Sequence, residues 1–530
     1  MKRVLWALPV AVVAASVATV ASAQPPSAPA LTGLSAANTK SPGYAPASRL
    51  SPELSQTVVA QGAMKLENPL AQIAYYGYDS DQVNAAGEPL MVPLPGAPTV
   101  EAHKTEPDKN TYLVFKKGLG GADPSYDYGT HFLYQGHESG TPGYLTRINL
   151  DADAAHRVTL MATIPTGDID GSTWDPWAQR LLLTTENASA PTYAATADYP
   201  STVTDISGAL GRGGYEGVQN DSAGDVWLVE DIGGAKKKDA AGANTAAKVP
   251  NSYVYRYVPA TPGDLANGRL QVLQVENAAG QPITQASQTA LNSPDQLALH
   301  TYGAAFDTTW VTIHDTATDG HASFNANALA LAQGGTPFKR PENGVFRPGS
   351  RFGQFFFDET GDTDATSPEN DTAGGWGSVF ELRQSSPTAS HGTLSLFYKA
   401  DEATSGFDNV TFLSKNLVTF VQDAGDTLHT QANALDSGWV FDVTRDYGQA
   451  GTAPVRWLAE GRDPSATIDS ATPTGNDGDN EITGVHVSDG DPTAGGILGA
   501  KTPGLNNPKW RWFYTQQHGD NTTYEVTLNR

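Results

Sequence analysis

The sequence predicts an all-β protein, a six-bladed β-propeller with long inter-strand loops. Three observations carry that expectation. Short runs rich in β-branched and aromatic residues recur along the chain, among them Tyr112–Lys116, Tyr253–Tyr257, Leu394–Tyr398 and Trp439–Val443. Clusters of Gly, Asp, Asn and Pro separate them, and Gly 54 with Pro 35 puts turn formers above the usual share. Helical periodicity is scarce, with short helices expected only over 285–291 and 325–332.

A loose unit repeats along these strands. Each copy opens on an acidic residue, runs through a short apolar strand and a turn, and closes a second apolar strand at or near an acid or amide. The openers are Asp170, Glu216, Asp295, Glu342, Asp408 and Glu481, at intervals of roughly 46–79 residues. A propeller blade needs about 40–50 residues, and the longer intervals leave room for surface loops. A sandwich or a two-domain β protein is the alternative. In a propeller, equivalent residues of successive blades converge on one end of a central channel, so these openers would form a ring of carboxylates. Like charges so close repel unless a cation sits between them. Oxygen-only ligands favour hard ions, Ca²⁺ first.

The 530-residue chain carries Lys+Arg 33 against Asp+Glu 57, a net charge of −24. That balance argues against nucleic acid as a partner, which needs a basic stripe, and against docking on an anionic membrane. With Cys 0, the chain has no disulfide, no thiolate metal ligand and no Cys nucleophile. Lys2 and Arg3 precede an apolar stretch from Val4 to Val20, and Ala21-Ser22-Ala23 reads as a cleavage site. Residues 1–23 are therefore read as a signal peptide, 24–51 as a flexible Pro/Ala/Ser-rich leader, and 52–530 as a single propeller domain. The expected location is periplasmic or extracellular, with no membrane span after cleavage, as a monomer.

Several segments resemble the PhoX-type alkaline phosphatases. They are Gly136-His137-Glu138-Ser139 with Gly143–Asn149, Trp174-Asp-Pro-Trp177 followed by Thr184-Thr-Glu-Asn187, Tyr215-Glu216, Val229-Glu-Asp231, Arg340-Pro-Glu342, Asp408-Asn409 with Gln422-Asp423, and Gln517-His518. The resemblance implies a secreted six-bladed propeller that hydrolyses phosphate monoesters. Iron and calcium ions would sit at its mouth on carboxylates and one Cys, with Arg side chains holding the phosphate. Carried across, Glu186, Glu216 and Glu342 become metal ligands, Asp231 a further one, and Arg340 the catalytic phosphate-gripping residue. The substrate would be a small phosphorylated molecule. Thr184 or Thr185 stands where the family has its Cys, so the implied cofactor is Ca²⁺, with Fe³⁺ weakened by loss of the thiolate. Arg445, Arg456 and Arg462 are loose candidates for a second phosphate-binding Arg.

Each reading has a plainer rival. The carboxylates could satisfy backbone N–H groups at blade turns, and Arg340 could merely pair with Glu342 or Glu359. His137 could be a hydrogen-bonded strand residue. Scattered His residues without His-x-x-x-His spacing do not support zinc. Asp362–Asp364 and Asn476–Asn480 have the composition of calcium loops but read as solvated loops, and Lys236-Lys-Lys238 reads as surface charge. The competing functions are a non-catalytic, calcium-stabilised binding propeller and another calcium-dependent propeller hydrolase.

Overall fold

In a computed structural model, residues 30–40, 46–71, 73–78, 104–138, 142–463, 465, 481–518 and 520–529 are described. The expected signal peptide and Asn476–Asn480 lie outside them. The described chain is all-β, with a propeller-like arrangement of four separate antiparallel sheets and one nine-stranded sheet.

The first sheet is a meander of Pro107–Val114, His131–His137, Gly143–Asn149 and Val158–Ile164. The second runs through Ile169–Asp175, Arg180–Thr185, Tyr193–Ala195 and Val203–Asp205. The nine-stranded sheet starts with a meander from Tyr215–Asn220 to Gly268–Val275. It ends with a second meander from Gly344–Phe346 to His391–Lys399, and the long strand Ala305–Asp315 joins their outer edges. A fourth sheet holds Phe407–Phe412, Leu417–Gln422, Ser437–Asp442 and Val455–Ala459, with Arg49–Leu50 on its edge. The last sheet pairs Glu481–Ser488, Arg511–Gln517 and Thr522–Leu528 with the N-terminal strand Leu54–Ala60.

Alternation along each strand builds the packing between sheets. Leu181 and Leu183 face one core with Phe132, Tyr134 and Trp174, while Leu182 faces another with Val218 and Leu228. Phe355 and Phe357 likewise pack with Trp227, and Phe356 between them packs with Phe412. Strands such as Arg180–Thr185 and Gln354–Glu359 are buried on both faces, which explains their near-continuous apolar runs.

The first strand of each meander packs beside the next. Contacts run from Pro107–Val114 to Ile169–Asp175, then Tyr215–Asn220, Gly344–Phe346, Phe407–Phe412, Glu481–Ser488 and back to Pro107–Val114. Five of the expected openers begin or immediately precede these inner strands. The sixth does not: Asp295 lies in the short helix Pro294–Leu299, whose Ser293 cap and Pro294 favour a helix start. Its place in the ring belongs to Asp108. The leader is also seated where it is described. Asn38 donates to the Glu460 carbonyl (2.6 Å), and Arg49 and Leu50 pair with Ala459 and Leu458. The two expected helices form as a turn of 3₁₀ helix, Gln285–Gln288, and the helix Ala326–Ala332.

Candidate metal centre

A break in strand register creates the site. The inner strands bulge between Pro107 and Asn110, Ile169 and Ser172, Tyr215 and Gly217, Phe407 and Val410, and Thr483 and His486. A bulge re-aims the unpaired residue, and the bulged positions include Asp108, Asp170, Glu216 and Asp408. Close approach of the backbones needs glycine behind two of these acids. A Cβ on Gly171 would meet the Glu216 carbonyl at 1.7 Å, and one on Gly217 the Glu342 carbonyl at 2.8 Å.

The result is a continuous set of carboxylates. Four groups each bring three ligand atoms within 4.8 Å of one another: Glu186, Glu216 and Asp231; Glu216, Glu342 and Asp408; Asp108, Glu138 and Asp170; and Glu138, Glu481 and His518. All four expected ligands, Glu186, Glu216, Asp231 and Glu342, come together here. Asp108, Glu138 and His518 were not singled out as ligands, and Asp170, Asp408 and Glu481 were legible only as openers.

Burial and mutual repulsion raise the carboxyl groups. Burial, then the Asp408 charge, pushes Asp108 up to about 8. Burial and Asp231 push Glu186 to about 7, and burial brings Asp408 to about 6. Burial and neighbouring charges drive Glu138, Asp170, Glu216, Glu342 and Glu481 well above the usual carboxylate range. Several oxygens find no donor: Asp170 Oδ1, Glu342 Oε2 and Asp408 Oδ2 are buried without a hydrogen-bond partner. Unpartnered buried oxygens of this kind fit a hard cation.

The cations present are few. Lys109, which is buried, donates to Asn409 Oδ1 (2.6 Å) and Asn343 Oδ1 (3.1 Å). Asn343 passes the contact on to Glu216 Oε1 (3.0 Å), and Asn409 to Asp408 Oδ1 (2.6 Å). Arg340 takes up left-handed backbone (φ 54°) and donates from Nε to both Asp231 oxygens (3.1 and 2.9 Å). Its Nη2 reaches Asp231 Oδ2 (2.7 Å) and Glu342 Oε1 (3.2 Å), and Nη1 makes no hydrogen bond among the described residues. Thus Arg340 pairs with Glu342, as its plainer reading held, but not with Glu359, which instead binds His300 (2.8 Å). Lys248 stands near enough for its charge to act on Arg340, Asp231 and Glu342, and its ammonium has no hydrogen-bond partner among the described residues.

Other expected residues lie elsewhere. Arg462 forks onto Asp520, Arg456 lies 4.3 Å from the Trp439 ring, and Arg445 is exposed beside Asp442. Thr184 Oγ1 donates to the Glu216 carbonyl (2.9 Å) and Thr185 Oγ1 to the Pro191 carbonyl (3.3 Å), so both hydroxyls in the Cys position serve the backbone. His137 is a buried strand residue bonded to Thr146 Oγ1 (2.8 Å), and burial lowers it to about 3. Asp362 and Lys237 were expected in solvent but are buried. Lys339 donates to Asp362 (2.9 Å) and Glu369 (2.7 Å), and Lys237 to Glu369 (3.0 Å).

Comparison with known proteins agrees with this fold. The family model described as alkaline phosphatase PhoX matches residues 244–504, just under half of the chain. Pseudomonas fluorescens PhoX in complex with vanadate, a transition-state analogue, superposes with TM-score 0.52 at 11% identity, over 94% of this chain and 98% of that one. Chaetomium thermophilum Sqt1 bound to the N-terminus of ribosomal protein L10 superposes less well, with TM-score 0.31 at 12% identity over 81% of this chain and 98% of that one. No curated protein matches in sequence. The resemblance to the PhoX-type family stands, at a distance that gives the fold in common.

Proposed function

We propose that this chain is an exported, metal-dependent phosphoesterase that hydrolyses phosphate monoesters at the mouth of a six-bladed propeller. The six-bladed reading is supported by the closed sequence of inner-strand contacts and by the two meanders within the nine-stranded sheet, which Ala305–Asp315 would join as an extra outer strand. The strand Leu54–Ala60, hydrogen-bonded to Thr522–Leu528, would close the ring and supports one domain from 52 to 530. Export rests on the sequence of residues 1–23 alone.

The observation that carries the function is Arg340 among unpartnered carboxylate oxygens, with Nη1 uncommitted. Glu186, Glu216, Asp231, Glu342 and Asp408 would hold Ca²⁺, or Fe³⁺ at the position without its thiolate. A bound ion would supply positive charge to polarise a phosphoryl oxygen. Arg340 offers the fork chemistry suited to phosphate oxygens, and its ion pairs fix the fork's direction. Lys248 adds a second, unpaired charge beside it, in the role expected of an Arg. Lys109 offsets part of the ring's charge and, through Asn343 and Asn409, orients Glu216 and Asp408. An anionic substrate would meet this local positive group despite the acidic chain as a whole.

A second reading has its own support. Two carboxylates already clamp Arg340 and no Cys is present, which suits a calcium-stabilised propeller that binds without turnover. A p-nitrophenyl phosphate assay separates the two. The chain is stripped with chelator and Ca²⁺, Fe³⁺ or both are restored. The phosphoesterase regains turnover, and loses it in Arg340→Ala and Glu342→Gln. The binding propeller gains thermal stability from the ion and shows no turnover under any metal.

A further inference from the structure

A row of acids leads away from the carboxylate ring along the sheet that runs from Phe407–Phe412 to Val455–Ala459. Val421 pairs with Gly438 and Ser437 with Ala459. Carried past the strand ends, that register sets Asp423 opposite Asp436 and Asp436 opposite Glu460. Two main-chain contacts fit this. Glu460 N donates to the Asp436 carbonyl (2.9 Å), and Ala424 N donates to Asp436 Oδ1 (3.2 Å). Residues directly opposite on antiparallel strands share a face, with Cβ atoms about 4.5–5.5 Å apart, and like charges there destabilise the sheet.

Burial sharpens the conflict. Asp436 is 1% exposed and Glu460 0%. Asp436 Oδ2 and both Glu460 oxygens have no hydrogen-bond partner among the described residues. The acids Asp520 and Asp423 also act on Glu460, with Lys104 as the weakest influence. Arg462 is committed to Asp520. His429 meets Asp436 Oδ1 at 3.0 Å, which answers one of the two charges and leaves Lys104 as the weak counter-charge acting on Glu460. On its other side Asp436 borders a cavity of about 460 Å³, lined also by Gln422, His429, Ser437 and Arg456, which gives water and small ions a path to it.

We infer that Asp436 and Glu460 form a second cation site, distinct from the carboxylate ring, for a hard divalent ion of the calcium class. The free oxygens are of the type that ion takes, and water completes its shell. Asp423 heads the row and influences both places, since its charge also reaches Glu342, Arg340 and Glu481. The second site therefore lies on the same row of acids as the mouth. It rests on no assumption about phosphate chemistry.

The test counts calcium. The full chain is stripped by chelator, dialysed against Ca²⁺ at neutral pH, and its bound calcium and thermal midpoint are measured beside those of Glu460→Gln and Glu342→Gln. Glu460→Gln is expected to bind one calcium fewer per chain, to melt higher than the native chain when both are calcium-free, and to gain less on adding Ca²⁺. Glu342→Gln keeps that calcium, so loss at the mouth and loss at the second site are told apart. If Glu460→Gln does not fold, Asp436→Asn takes its place with the same expected loss. A folded variant that binds as much calcium as the native chain, with the same thermal gain, would overturn the site and leave Glu460 a neutral buried acid.

Discussion

Lys339 and Arg340 are neighbours in the chain and stand in opposite kinds of charged cluster. Around Lys339 the charges balance. Two lysines, Lys237 and Lys339, meet two acids, Asp362 and Glu369, and the remaining acceptor positions take Ser367 Oγ, Lys248 N and Asn292 N. Burial pushes Glu369 upward, but Lys339 and Lys237 outweigh it and hold the carboxyl below its usual value. Around Arg340 the charges do not balance. Nine carboxylates gather in the ligand groups, with buried Lys109 and half-buried Arg340 as the cations among them, and Glu216 and Glu342 are raised rather than lowered. The contrast separates a cluster that completes the fold from one that awaits ions. Pairing alone does not mark a functional site; the unpaired remainder does.

Several experiments break or sharpen this comparison. The largest effect is on turnover: Arg340→Ala should cut metal-restored p-nitrophenyl phosphate hydrolysis by roughly 100- to 1,000-fold, in the range of losing one preorganised donor to a developing charge. Next comes stability. Lys339→Met strands Asp362 and Glu369 and should cost about 3–5 kcal/mol in denaturant unfolding, with or without metal. Glu216→Gln should leave the metal-free chain as stable or more so, because it removes a charge that has too little compensation. Equal losses from the two substitutions would erase the distinction.

The pH dependence has a definite sign. An acid whose folded value lies above its unfolded value is held protonated by folding, so its contribution is greatest at low pH and is lost as pH rises through the folded value. For Asp408, Glu186 and Asp108, raised to about 6, 7 and 8, the metal-free chain should lose stability between about pH 4 and 8. Calcium should restore it most at the upper end, as read by thermal melts across that range. The smallest effect is that of Lys248→Met, expected to raise KM about two- to five-fold with little change in kcat, as befits a partly exposed charge.

The strands were legible because their apolar residues face two cores in alternation, as Leu181-Leu182-Leu183 does. The mouth was legible in part for the same reason. An acid at the start of an inner strand, such as Glu216 or Asp408, stands out beside the apolar run of the next strand. Asp108 and Lys109 escaped because polar residues continue through Asn110 and Thr111, so that no apolar run follows them at once. Asp295 misled because an acid before Leu and Ala reads equally well as a helix start. Lys237 looked solvated because its partner Glu369 lies 132 residues away in sequence, and Asp362 because nothing in its acidic loop points back to Lys339, 23 residues before it. Asp436 and Glu460 do not open inner strands, and only the register of three strands sets them in line with Asp423.

The central claim is that the carboxylate ring is incomplete without cations, and the most direct measurement is the metal content of the chain at pH 8. The native chain, dialysed against Ca²⁺ and then against metal-free buffer, should retain calcium by elemental analysis, and the double variant Glu216→Gln, Glu342→Gln should retain measurably less. Equal retention by both, or a native chain that holds no metal and is as stable at pH 8 as at pH 6, would contradict the account.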